Sequence, residues 1–352
     1  MSNGGITQLV AIGAQDVHIT GDPQVTFFHS TFKRHTNFSM FTSEQIIQGN
    51  PSPGGMSTFE LSRAGDLLSY TYLVSYDNAT AAPVSDELGW SNLIDYAELL
   101  IGGQVVDTQD TTFTEYIAPD LLAQTFAKSS AGGVHAGATN DSAFYPFRFF
   151  FCESWQHALP LVAVQYSTVE IRVYWKRTMP ANYRFRAFSR YVAVDTDERN
   201  SLVSTPEIDI LMFQVQKSAP SHQKVQELNF NHPVKFLASP NVSETNPLCS
   251  PTEMVKLDAN GTELMDYMHA SPFYTSVPSY YHTEYAYGNQ TSMFIVPFCL
   301  STCKIQPTGS LNFSRLDSFK LHCTAPVTEP VYAVNYNVLK IKNGTCAQMY
   351  AN

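Results

Sequence analysis

Two cysteine–histidine groupings and two sets of carboxylates are the residues of this chain whose types suit chemistry. Cys152 and His157 have the make-up of a thiolate and its imidazole base, groups that must lie within hydrogen-bond reach to work together. Five residues apart beside a strand, they are not positioned for that, and the expectation is a structural thiol. Cys299-x-x-x-Cys303 with His322-Cys323 offers zinc-type ligands. Structural zinc sites use tighter knuckles in two paired sets, and this spacing supplies neither, so thiols on neighbouring strands are expected. Asp195-x-Asp197 puts Arg199 where a calcium loop needs an oxygen, which leaves a solvated turn. Acidic residues such as Glu60 and Asp66 would serve glycoside hydrolysis only at a working separation that linear sequence does not fix. The sequence holds no glycine-rich phosphate loop, dinucleotide fingerprint, His-Glu-x-x-His or Gly-x-Ser-x-Gly. No catalytic residue, metal ligand or cofactor is expected.

Asparagine sequons are more frequent. Asn37, Asn78, Asn140, Asn241, Asn260, Asn289, Asn312 and Asn343 each begin Asn-x-Ser/Thr. Asparagine, serine and threonine are also what β-turns favour, and that reading is preferred. Asn140 and Asn289 stand apart as glycosylation candidates because both fall in expected loops.

Composition bounds the rest. The 352 residues are 13% aromatic and only 15% charged, so the chain buries a large core and is not disordered. Thirty-one acidic against 21 basic side chains give a net charge of −10, the wrong sign for gripping nucleic acid by its phosphates. A charge-poor, aromatic-rich surface points to cover by copies of itself. The N-terminus lacks the basic and apolar regions of a secretory signal. The longest apolar stretches are seven residues and carry Pro160 or Pro297, far below the ~20 of a membrane span, so a soluble chain with six free, buried cysteines is expected.

Positioning such a core falls to strands. Residues 36–47, 58–63, 67–76, 144–152 and 161–175 are rich in β-branched and aromatic types. Residues 97–108 read as a hairpin whose turn, Gly102-Gly103, supplies positive φ at no steric cost. Helical signal is confined to 90–94 and 112–124, the second weakened by Pro119. Residues 126–142 and 248–287 read as long loops, and 195–206 as a domain junction. The stretch 163–171 reappears at 333–341 with Ala, Val, Tyr and Ile identical, an offset of 170 that suggests duplication of a whole domain. The fold class is all-β with short helices in the connections.

Several segments are familiar in combination. Residues 8–28 (QLVAIGAQDVHITGDPQVTFF) closely resemble the N-terminal signature of the major capsid proteins of nucleocytoplasmic large DNA viruses. Residues 94–107 resemble that family's Glu-x-x-Ile-Gly-Gly hairpin, and 158–166 the strand that closes its first domain. Residues 191–199, 228–235, 309–317 and 331–337 follow in the family's order, so the resemblance spans nearly the whole chain.

The resemblance implies two tandem eight-stranded jelly-roll β-sandwiches: an N-terminal segment 1–22 at the capsomer base, a jelly roll over 23–188, a linker over 189–204 and a second jelly roll over 205–352. It implies a structural protein without enzymatic activity that homotrimerises into pseudo-hexagonal capsomers tiling an icosahedral shell. Implied partners are the chain itself, neighbouring capsomers, and minor capsid and penton proteins. Nucleic acid is not contacted directly, and a membrane lies only beneath the shell. Lys33, Arg34 and His35 would add positive charge at the base. The implied location is the virion capsid, assembled in the host cytoplasm. The second half is compact, which implies trimmed outer loops. The rival from another class is a carbohydrate-binding or carbohydrate-active double β-sandwich, which requires two facing carboxylates or a stacked-aromatic platform.

Overall fold

The computed structural model describes residues 4–6, 13–77, 90–130, 144–180, 183–242, 245–284 and 292–350. It divides into two units, residues 1–37 and residues 38–352. In the first, the only helix of the arm beyond residue 13 is one turn, Val17–Thr20, and the following chain to Asn37 forms no strand.

Among its described residues the second unit holds sixteen principal strands. The first eight are β1 (Phe38–Gln45), β2 (Met56–Glu60), β3 (Leu67–Asp77), β4 (Ile94–Ile101), β5 (Gln104–Asp110), β6 (Phe144–Pro146), β7 (Val169–Trp175) and β8 (Tyr183–Val194). The next eight are β9 (Glu207–Ser218), β10 (Val225–Glu227), β11 (Pro233–Ser239), β12 (Met254–Ala259), β13 (Thr262–His269), β14 (Phe294–Pro297), β15 (Phe319–Cys323) and β16 (Val331–Lys342). All pair antiparallel in four sheets. Sheet I runs β1-β8-β3-β6 and sheet II β2-β7-β4-β5; sheet III runs β9-β16-β11-β14 and sheet IV β10-β15-β12-β13. Each strand of the second set stands where the strand eight places earlier stands in the first. The short strands Ile47–Gln48, Leu159–Pro160, Leu311–Asn312 and Thr345–Gln348 extend these ladders.

The repetition reaches local detail. The β4–β5 hairpin turns at Gly102 (φ +59°) and Gly103 (φ +81°), and the β12–β13 hairpin at Asn260 (φ +51°) and Gly261 (φ +75°). Positive φ at both central residues matches the strand twist, which is why Asn and Gly occupy these places. In both hairpins the register slips one residue past the turn, between Leu99 and Leu100 and between Leu257 and Asp258. The two jelly rolls are thus a duplication, but not the one suggested by the offset of 170. Residues 163–171 form a turn and the start of β7 in sheet II, whereas 333–341 lie within β16 of sheet III. The counterpart of β16 is β8, so that echo is a chance similarity of two β-rich stretches.

Other expectations need local correction. Residues 144–152 contain only the short β6; the chain then turns into the helix Phe150–Glu153. Phe147, Phe149, Phe150 and Phe151 are all buried, and a fully buried apolar run carries no periodicity to separate strand from helix. Residues 161–168 are turns before β7 begins. The 248–287 segment contains β12, β13 and two helices rather than a loop. Within 90–94 there is one 3₁₀ turn, Trp90–Asn92, before β4. Within 112–124 the chain makes a π-helical turn, Phe113–Ile117, and the helix Ala118–Leu121, where Pro119 sits in the first turn and costs no hydrogen bond. Strand β8 continues through 189–194, pairing with β1 along its length, and the helix Thr196–Ser204 follows.

Alternation along the strands builds each core. In β7, Val169, Ile171, Val173 and Trp175 point inward and the residues between them outward. The first core joins sheets I and II through Phe59, Trp90, Tyr145, Phe147, Trp175 and Phe185; the second joins III and IV through Leu237, Leu257, Phe294, Phe313 and Leu321. A third cluster forms the seam between the jelly rolls. Phe113, Ile117, Leu121 and Leu122 of the first lie on Phe236, Ile295, Tyr332 and Val334, the outer face of sheet III. This explains why β11 is buried on both faces.

Candidate assembly surface

Polar groups fix the seam beside that apolar cluster. The Gln214 amide donates to the Val106 carbonyl (2.5 Å), and its oxygen accepts from the Asn337 amide (2.9 Å). The buried Asp107 carboxylate accepts from the Val215 and Thr108 N–H groups (2.9 and 3.0 Å) and from the Gln109 amide (2.7 Å). Burial nevertheless pushes its pKa up to about 7, outweighing those donors. Burial likewise raises Glu115, beside Ser91, and Asp120 to about 7. At the solvent edge Asp110 accepts from Lys217 (2.6 Å) and from the Tyr332 hydroxyl (2.7 Å).

The outer face of sheet I is different in kind. Tyr70, Tyr72, Phe144 and Trp155 form a run of ring contacts: Tyr70–Trp155 at 5.7 Å, Tyr70–Tyr72 at 6.3 Å and Tyr72–Phe144 at 6.1 Å. Tyr72 also stacks on Phe188 at 5.6 Å. Arg186 lies over Tyr76 and Phe188 and pairs with Glu44, while Arg190 donates to Thr42 (3.0 Å). Trp155 is 54% exposed, and Tyr70 and Phe144 are exposed beside it. Aromatic rings interleaved with arginine have the make-up of interface hot spots. The N-terminal unit has exposed apolar groups of its own, with Phe27 at 91% and Phe28 at 99% and an exposed Lys33-Arg34-His35 run.

The residues whose types suited chemistry are dispersed. Cys152 is buried and its thiol pushed up to about 12, and burial lowers the His157 pKa as well; neither is poised to react. His322 meets Asp258 (2.9 Å), not a thiol. Among the described residues no cluster of His, Cys, Asp and Glu has the arrangement of a metal site. Asp195 caps the helix Thr196–Ser204 by accepting from the Thr196 N–H, and Arg199 pairs with Asp66 (2.8 Å). Burial raises the Asp66 pKa, but Arg199 and the Val194 N–H outweigh it and hold the carboxyl below its usual range. Glu60 stands opposite Glu170 across β2 and β7. Asp66 is therefore engaged by Arg199 and the Val194 N–H, while Glu60 has only a like-charged residue at its strand register.

Asn140, Asn289 and Asn78 lie outside the described residues. Asn260 and Asn343 occupy positive-φ turn positions, Asn312 caps a 3₁₀ turn and Asn241 is buried. All six cysteines are free and buried. Native protein is therefore expected to resist a thiol reagent at every cysteine and to take up six equivalents in denaturant. Fast labelling of Cys152 before unfolding would contradict its raised pKa.

Two eight-stranded jelly rolls in tandem define a double jelly-roll protein. Residues 26–202 match the family description "Major capsid protein N-terminus" and residues 237–347 match "Large eukaryotic DNA virus major capsid protein". The chain is 30% identical over 401 aligned positions to the major capsid protein of Pyramimonas orientalis virus, covering 99% of this chain and all of that one. It is 27% identical to the major capsid protein of Paramecium bursaria Chlorella virus 1, with 99% and 100% covered. The chain belongs to the major capsid protein family of large eukaryotic DNA viruses. The same fold occurs in PBCV-1 VP54 (TM-score 0.76, 21% identity, 93% of this chain and 100% of that one) and in the Faustovirus major capsid protein (0.64, 12%, 94% of each).

The resemblance anticipated the family, but the residues of the aromatic–arginine face were not singled out. Their one sequence signal is the recurrence of exposed-type aromatics at strand spacing, Tyr70, Tyr72 and Tyr76, in a strand that also buries its alternate face.

Proposed function

We propose that this chain is a structural subunit of a virion capsid that forms homotrimers, each a pseudo-hexagonal capsomer of six jelly rolls in an icosahedral shell, and that it catalyses no reaction. The exposed aromatic–arginine face of sheet I carries this reading, because a monomer gains nothing from holding such a surface in water. Membership of the family supports it. The proposed division is an N-terminal segment over 1–22, jelly rolls over 23–188 and 205–352 and a connection over 189–204, and the run of β8 to Val194 favours a later end for the first jelly roll. The N-terminal segment, with its exposed phenylalanines and its Lys33-Arg34-His35 charge, faces minor capsid proteins at the capsomer base. Penton proteins and neighbouring capsomers complete the contacts. The net charge of −10 keeps the shell from binding the genome, and the membrane lies beneath it. Assembly takes place in the host cytoplasm, and Asn140 and Asn289 are the sites proposed to carry sugar.

Size-exclusion chromatography with light scattering tests this reading. The expected particle has three times the 39.2 kDa chain mass. A dispersed monomer at every concentration would overturn it.

A further inference from the structure

The seam inside the chain joins two surfaces, and each has a counterpart elsewhere that remains exposed. Between β5 and β6 the first jelly roll inserts the helical turns whose Phe113, Ile117, Leu121 and Leu122 bury the outer face of sheet III. At the same place in the second jelly roll, between β13 and β14, the chain forms the helices Ala270–Phe273 and Ser276–His282. Ala270, Tyr274 and Pro278 are buried, with Tyr274 against Phe294 at 5.5 Å, so this side is fixed to its own core. The opposite side presents Phe273, Val277, Tyr280 and Tyr281, nearly the spacing of the stripe in the first jelly roll. All four are exposed, Tyr280 at 81% and Tyr281 at 73%. An apolar helical stripe normally faces a core or a partner.

Sheet I is the counterpart of sheet III, and its outer face is the exposed aromatic–arginine surface described above. Among the described residues, one stripe lacks a sheet and one sheet lacks a stripe. Residues 270–281 contain no Lys or Arg, so they bring no like charge to Arg184, Arg186 and Arg190.

We infer that the helices Ala270–Phe273 and Ser276–His282 of one copy lie on the outer face of sheet I of the next copy, as the 113–122 segment lies on sheet III within one chain. The inference rests on the trimer reading and names the surfaces that make it. The contact is head-to-tail: every chain gives one stripe and one sheet face, and the assembly is complete only when the ring closes. Tyrosine rings meeting tryptophan, tyrosine and arginine supply the contact chemistry.

Trp155→Asp removes the sheet side and Tyr281→Asp the helix side. Both residues are exposed, so each variant is expected to keep the wild-type circular dichroism spectrum, while its melting temperature loses the share that trimerisation adds. Each is expected to raise the trimer's midpoint dissociation concentration by at least about tenfold, leaving monomer where the wild type is trimeric. Val225→Asp, at an exposed residue of β10 on the edge of sheet IV away from β13, is expected to stay trimeric. Mixing the two monomeric variants gives the decisive result. Each keeps the half that the other lacks, so light scattering should show a one-to-one dimer that grows no further. A wild-type trimer whose variants also remain trimers, or variants that stay monomeric on mixing, would sink this contact and leave the trimer reading standing. A monomeric wild type would instead remove the trimer reading, and the contact with it.

Discussion

Raising the pH from 5 to 8 is expected to weaken the folded subunit by several kcal/mol, up to about 8, opposite to the usual acid lability of proteins. Asp107, Glu115 and Asp120 are responsible, each pushed up to about 7 by burial. In the unfolded chain these carboxyls titrate near 4. Between the two values the folded state holds protons that the unfolded state has released. Stability therefore falls with rising pH, by up to ~1.4 kcal/mol per unit for each group. Groups with lowered values act elsewhere. Glu44 and Glu284, held down by Arg186 and Lys304, contribute above pH ~4 and lose that contribution below it. They are mostly solvent-exposed, and screening keeps their share small. Burial lowers the His157 pKa, so its contribution is lost as pH falls through about 6.5, one imidazole against three carboxyls. Urea unfolding at pH 5, 6.5 and 8 measures the slope. Glu115→Gln should flatten it, and stability that is level or rising across this range would refute the assignment.

Trp175→Ala is expected to cost ~3–5 kcal/mol, a large share of the ~5–15 kcal/mol that holds a typical domain. Trp175 belongs to β7 in sheet II, yet its ring stacks at 4.3 Å on Phe185 of β8 in sheet I. It therefore bridges the two layers of the first jelly roll. Its indole N–H also donates to the Ser57 hydroxyl (2.9 Å). Phe keeps most of the stacking area but leaves Ser57 without that donor, so Trp175→Phe should cost only ~1–2 kcal/mol. Denaturant melts of the pair separate packing from hydrogen bonding. Equal losses for the two substitutions would mean that the ring's volume is not what stabilises this site.

The fold was legible where local chemistry determines geometry. Gly102-Gly103 between alternating runs specifies a two-residue turn, and the structure has it. Asn260-Gly261 is an equally strong signal, but the polar and aromatic residues around it read as a loop, and β12 and β13 were missed. β13 is an edge strand exposed on both faces, so it has little of the alternation that marks a half-buried strand. The opposite failure occurred at Phe147–Phe151, where burial on every side erased the pattern. The seam was not legible at all. Whether Phe113 or Phe273 ends up covered depends on which jelly roll lies beside it, and no property of either helix encodes that.

The strand order, repeated eight places on, makes the two halves alike in plan, but their surfaces have diverged. One outer sheet face is sealed by its own chain and the other is studded with arginine and aromatic rings. In the proposed ring of three such chains, two kinds of wedge would alternate, so the outline would approach a hexagon while the chemistry repeats only three times. Each corner then has an address. A neighbouring protein that recognises one wedge can distinguish adjacent corners and set the rotational phase of the tile, which six identical wedges would leave undefined.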